Sequence, residues 1–177
     1  MNKRNIIIIV IVVLLVLGVW LVKYFQTQQT KISENTVQNS GEEVNEDFKL
    51  NIRSKIDLAK LKSYNLPIII DFGADYCAPC RQMAPTIKKL NEELQGKAII
   101  RYVDTGRFPR LADGYPVEYI PTQILFNSDG TPYKIENGEN LGFSSITLEN
   151  GEQITIHVGY LSEQELRNML KEMGLNE

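Results

Sequence analysis

Apolar positions follow several rhythms along this chain, and each rhythm predicts a different element. Ile6 to Val22 is a 17-residue stretch, apolar throughout except for Gly18. A helix apolar all round belongs in lipid rather than on a surface. Gln26 to Asp47 then has almost nothing to bury and reads as a flexible polar tether. From Phe48 onward the rhythms are those of a folded domain. Asp57 to Leu61 has helical spacing, and the β-branched run Ile68–Phe72 has the length of a buried strand. Ala78 to Leu94 reads as a helix with Met83, Ile87, Leu90 and Leu94 on one face, Pro85 inside and Gly96 just past its end. Ala98–Val103 and Thr122–Phe126 are further strands, separated by a poorly periodic loop over Gly106–Tyr119. Ser145–Leu148 and Gln153–Val158 flank Asn150-Gly151, a hairpin signal. Ser162 and Glu165 form a capping box that opens a last helix with Leu166, Met169, Leu170 and Met173 on one face. This order predicts an α/β fold, a mixed sheet flanked by helices on both faces.

The apolar run sets the domain organisation. As a helix it would span about 25 Å, the low end for a bilayer core. Trp20, Tyr24 and Phe25 add interfacial aromatics, and Lys23 can snorkel. A cleaved signal peptide is the alternative, but no small-residue cleavage pattern follows Gly18. The expectation is therefore an N-terminal membrane anchor over 1–25, a single-pass signal anchor, with a tether over 26–47 and one domain over 48–177. Lys3 and Arg4 precede the span and favour a cytoplasmic N-terminus, which puts the domain on the extracytoplasmic side.

Charge and composition remove several function classes. The chain has 177 residues and a net charge of −3. Residues 1–25 carry three positive charges and no acid, so the remainder holds 16 basic against 22 acidic side chains, a net of −6. A nucleic-acid surface would show a basic stripe instead. One histidine and two cysteines fall short of the four ligands of a structural zinc site, so no metal is expected. Covalent haem attachment would need histidine after Cys80, where Arg81 stands.

The two cysteines carry the candidate chemistry. Cys77-Ala78-Pro79-Cys80 sits where the strand Ile68–Phe72 passes into the long helix. Cys77 falls at or just before the helix N-terminus, where unpaired N–H groups and the dipole favour a thiolate. Cys80 lies one turn in, close enough to pair with it, and Pro79 is tolerated in a first turn. One sulfur can then act as nucleophile and the other as resolving partner. A purely structural disulfide is the alternative, although so short a loop gains little unfolded-state entropy.

The segment from Asp71 to Pro85, DFGADYCAPCRQMAP, resembles the active-site segment of the thioredoxin family. Ile120-Pro121-Thr122 resembles that family's cis-proline loop, and Val158-Gly159-Tyr160-Leu161-Ser162 its last strand and helix start. The resemblance implies Cys77 as attacking and Cys80 as resolving cysteine, with Asp71 as the buried acid beneath them. An ordinary strand-end carboxylate is the other reading of Asp71. It further implies a cis Pro121 facing the disulfide, and contacts to substrate through Tyr76, Ala78, Pro79, Ile120, Pro121 and Gly159. No metal or organic cofactor is required. The implied partners are disulfide-bearing protein substrates and a membrane dithiol electron donor.

Four departures stand out: Gly73 replaces an aromatic, Tyr76 a tryptophan, Ala78 a glycine, and 127–156 far exceeds the family's tight connection between its last two strands. The long connection reads as a β-hairpin insertion, removable without loss of fold. His157, remote in sequence from Cys77, reads as a structural or exposed residue. The leading expectation is a membrane-tethered thiol–disulfide oxidoreductase that reduces extracytoplasmic proteins. A thiol oxidase or isomerase on the same scaffold, and a tethered binding module with idle thiols, are the rivals.

Overall fold

A computed structural model describes residues 17, 20, 21, 23, 45–135 and 138–176. Most of the expected anchor, and residues 26–44 of the tether, lie outside these. Leu17, Trp20, Leu21 and Lys23 are helical and exposed. Among the described residues no helix is long and apolar enough to cross a membrane.

The compact unit Asn45–Glu177 begins three residues before the expected Phe48. A short 3₁₀ turn over Glu46–Phe48 is the reason, because it buries Asp47 and Phe48. Tyr64 donates to the Asp47 carboxylate at 2.7 Å and Lys60 pairs with it at 2.6 Å. The tether's last polar residues are thereby part of the domain.

Among the described residues five strands follow, β1 Ile68–Gly73, β2 Ile99–Asp104, β3 Thr122–Phe126, β4 Phe143–Thr147 and β5 Gln153–Val158. They form one sheet in the order β2-β1-β3-β5-β4. β1 and β2 are parallel, while the β1–β3, β3–β5 and β4–β5 pairs are antiparallel. The expected mixed sheet is thus present. Among the described residues it is flanked by the helices α1 Leu58–Lys62, α2 Ala78–Glu93 and α3 Glu163–Glu172. Asp57 caps α1, accepting from the Lys60 N–H, and Ser162 and Glu165 complete the capping box of α3.

Side chains alternate across a strand with period two, so each strand feeds both faces of the sheet. Ile68, Ile70 and Phe72 of β1 join Ile124 and Phe126 of β3 under α1, with Leu58 and Leu61. Ile69 joins Leu125 on the opposite face with Met83, Ile87 and Leu90 of α2 and Leu166, Met169 and Leu170 of α3. Both faces are covered, which explains why β1 and β3 are buried at every position.

The connection between β3 and β5 is not a detachable hairpin. β5, its second arm, lies directly beside β3 and is a core strand, with Ile154 wholly buried. The inserted part ends before it, and β4 becomes the new sheet edge. Tyr133 and Phe143 from the insert are buried in the α2–α3 cluster, and the Tyr133 hydroxyl donates to Glu172 of α3 at 2.5 Å. Lys62 of α1 pairs with Glu152 of the β4–β5 turn at 2.5 Å while lying 4.0 Å over the Phe126 ring. Beyond Phe143, β4 is mostly exposed, so the burial of the segment is concentrated at Tyr133, Phe143 and β5.

Candidate active site

β1 delivers the chain to the N-terminus of α2, and the turn between them holds the cysteines. Cys77 is the N-cap residue in extended geometry, and its sulfur accepts from the Cys80 N–H at 3.2 Å. The sulfur occupies the place where a Ser or Asp side chain would normally cap, and there a thiolate would meet the positive end of the helix. Cys77 and Cys80 are joined as a disulfide, with α-carbons 5.3 Å apart. Cys77 is partly exposed, whereas Cys80 is 3% exposed. Only one of the two sulfurs can therefore be approached by a second protein.

The opposite wall comes from the loop before β3. The Ile120–Pro121 bond is cis, as the resemblance implied, and the Ile120 carbonyl lies 3.5 Å from the Cys77 sulfur. Gly159, with φ of 121°, donates its N–H to the Pro121 carbonyl at 2.9 Å, which brings the end of β5 to the same rim. Ala78 and Pro79 are exposed on the first turn of α2, and Tyr76 is 76% exposed beside them. Tyr119 and Tyr160 add two further exposed rings next to Ile120 and Gly159. All the residues expected to meet substrate thus flank Cys77 on three chain segments.

Behind the disulfide, the Gly73 backbone lies close against Cys80. A Cβ there would stand 3.3 Å from the Cys80 sulfur and 3.0 Å from the Tyr102 ring. The missing aromatic at this position leaves room for Cys80 to pack.

Asp71 lies two residues earlier on β1, on the α2 face, and is 1% exposed. It is no solvated strand end. Burial pushes its carboxyl up to about 7, against the opposing pull of a hydrogen bond donated by the Gln123 amide at 2.8 Å. A group poised there can exchange a proton near neutral pH.

Two residues complete this neighbourhood, Gln123, which no local motif marks, and His157, which the sequence offers only as structural or exposed. Gln123 faces Asp71 across the β1–β3 ladder. His157, expected to be structural or exposed, is 5% exposed and stands 2.6 Å from the Gln123 carbonyl oxygen through Nδ1. A polar residue at a buried strand position was the available signal for both. Among the described residues no cluster of His, Cys, Asp and Glu could hold a metal ion.

The comparisons with known proteins agree with this geometry. The thioredoxin family model matches residues 57–143. A thioredoxin-like protein of Synechocystis sp. is 30% identical over 70 residues, which are 40% of this chain and 67% of that protein. Thioredoxin 1 of Chlorobaculum tepidum is 38% identical over 66 residues, covering 37% of this chain and 65% of its own. Thioredoxin Y1 of Arabidopsis thaliana, a chloroplastic protein, is also 38% identical over 66 residues, which are 37% of this chain and 38% of that protein. The chain thus spans about two thirds or less of the length of these relatives. A mutant thioredoxin from Halobacterium salinarum superposes with a TM-score of 0.50 at 23% identity, over 75% of this chain and 96% of that one, and supports the fold. With the cysteine pair at the head of α2, the cis-proline opposite and the matched sequence spanning both, the chain belongs to the thioredoxin family.

Proposed function

We propose that this protein is a membrane-tethered thiol–disulfide oxidoreductase that reduces disulfides of extracytoplasmic proteins. The observation that carries the chemistry is the asymmetry of the pair: Cys77 is approachable at a helix N-cap, and Cys80 is buried behind it. In the reduced form the Cys77 thiolate attacks a substrate disulfide, forming a mixed disulfide and expelling one substrate thiolate. Cys80 then loses its proton to the Asp71 carboxylate and attacks the Cys77 sulfur. The mixed disulfide breaks, the second substrate thiolate leaves, and the Cys77–Cys80 disulfide is restored.

Two electrons from a membrane dithiol donor return the pair to the reduced form. Tyr76, Ala78, Pro79, Ile120, Pro121 and Gly159 form the rim on which a substrate strand rests. The anchor over 6–22 and the charges of Lys3 and Arg4 support the tethered, extracytoplasmic placement. Insulin reduction by the purified chain with dithiothreitol as donor tests the activity. Wild type accelerates precipitation of the insulin chains, and Cys77→Ser abolishes the acceleration. Equal turnover by Cys77→Ser would refute the assignment.

A further inference from the structure

Asp71, Gln123 and His157 occupy successive strands at matched register, Asp71 opposite Gln123 and Gln123 opposite His157. All three lie on the face covered by α2 and α3, so a buried polar row crosses that face. From the far end, His157 packs on Phe143 of β4 with ring centroids 4.7 Å apart, and its Nε2 edge lies against Gly142 of the insert. The row therefore runs from the acid behind the disulfide to the feature that sets this chain apart.

We infer that Gln123 and His157 are positioning residues for Asp71, forming a hydrogen-bond chain whose direction reverses when Asp71 takes the proton of Cys80. This rests on the role of Asp71 proposed above. An amide offers donors at one end and an acceptor at the other, so its orientation ties the states of its two neighbours together. When Asp71 is ionised, the Gln123 Nε2–H donates to its carboxylate, as observed at 2.8 Å. The Gln123 Oε1 then accepts, and the 2.6 Å contact requires a proton on Nδ1 of His157. When Asp71 is protonated, its O–H donates to Oε1 of a turned amide. Nε2–H then donates to Nδ1, and the imidazole proton sits on Nε2. The Cys80 proton thus ends on Asp71, and the ring answers by changing which nitrogen donates.

The groups facing this row set its bias. Tyr102 of β2 shares the environment of Asp71, and Met83 of α2 places its sulfur 3.9 Å from the Gln123 amide nitrogen. Around His157, burial favours the neutral ring, whereas Glu165 of α3 and the Leu141 carbonyl favour its protonation. The insert carrying Leu141 and Gly142 therefore touches the far end of the row that ends at Asp71.

The chain has a single histidine, so nitrogen-15 spectra of the full chain in detergent report this ring alone. In the oxidised protein, Nδ1 should change from the acceptor-type to the protonated shift as pH rises through about 7, the region where Asp71 ionises. An isolated histidine does the reverse, only losing protons as pH rises. Gln123→Leu should abolish this change. It should also move the midpoint of mixed-disulfide release upward by about half to one pH unit, the worth of one lost hydrogen bond. An Nδ1 that keeps one state, or only loses its proton with rising pH, overturns the relay. The ring measurement needs no turnover. If wild type reduces insulin while the ring does not switch, the relay fails and the oxidoreductase stands. If the ring switches but insulin is not reduced, the oxidoreductase assignment fails instead.

Discussion

Asp71 is where burial and chemistry oppose each other most sharply. Its folded pKa of about 7 stands above the ordinary carboxylate value because desolvation outweighs the single hydrogen bond from Gln123. A raised carboxyl pKa costs the fold nothing at low pH, begins to cost above the unfolded value near 3.8, and reaches its full cost above about 7. A shift of this size corresponds to about 4 kcal/mol at most. Asp71→Asn should therefore raise the melting temperature at pH 8, leave it nearly unchanged at pH 4, and slow release of the mixed disulfide. Melting curves across that range, paired with single-turnover release, check both halves. Destabilisation at pH 8 with unchanged release would mark Asp71 as structural. The sequence exposed Cys77, Cys80, Asp71 and Pro121 because their spacing is local and they match a known pattern. It did not connect Gln123 and His157 with Asp71, because their partnership exists only through strand register, which no local spacing encodes.

At the level of elements, the patterning located β1 to β5 and helices α1 to α3 within a residue or two, since most carry a strong apolar face or cap. The error lay in deciding which elements form the core. The hairpin signal at Asn150-Gly151 was sound, yet one of its arms is an edge strand and the other a central one. Replacing Asp129–Ile154 by a short turn should consequently collapse the fold, because it removes Tyr133, Phe143 and Ile154, three buried side chains. Phe143→Ala alone should cost about 3–5 kcal/mol, the usual range for a large core truncation. It should also disturb His157, its ring neighbour. Urea denaturation of both variants measures these effects, and a Phe143→Ala protein within about 0.5 kcal/mol of wild type would return the insert to the surface. On β1, Gly73→Val should displace Cys80 or Tyr102, since even a Cβ sits at the limit of close approach to both. Slower resolution by Cys80 should follow, visible as longer-lived mixed disulfide.

For the molecule as a whole, the central relation is between an approachable sulfur and a shielded one, held by a scaffold that the proposal tethers outside the membrane. The tether is tested by adding protease to intact cells. The domain should be cut away from a retained N-terminal segment, and full protection of Phe48–Glu177 would contradict the topology. The chemistry is tested most directly by trapping. Cys77→Ser and Cys80→Ser variants of the full chain, each reduced and mixed with a disulfide-bearing protein, are quenched with acid and weighed by mass spectrometry. The account predicts that Cys80→Ser accumulates a stable mixed disulfide through Cys77, while Cys77→Ser traps almost none, because Cys80 is buried. Equal trapping by the two variants, or trapping through Cys80 alone, would contradict it.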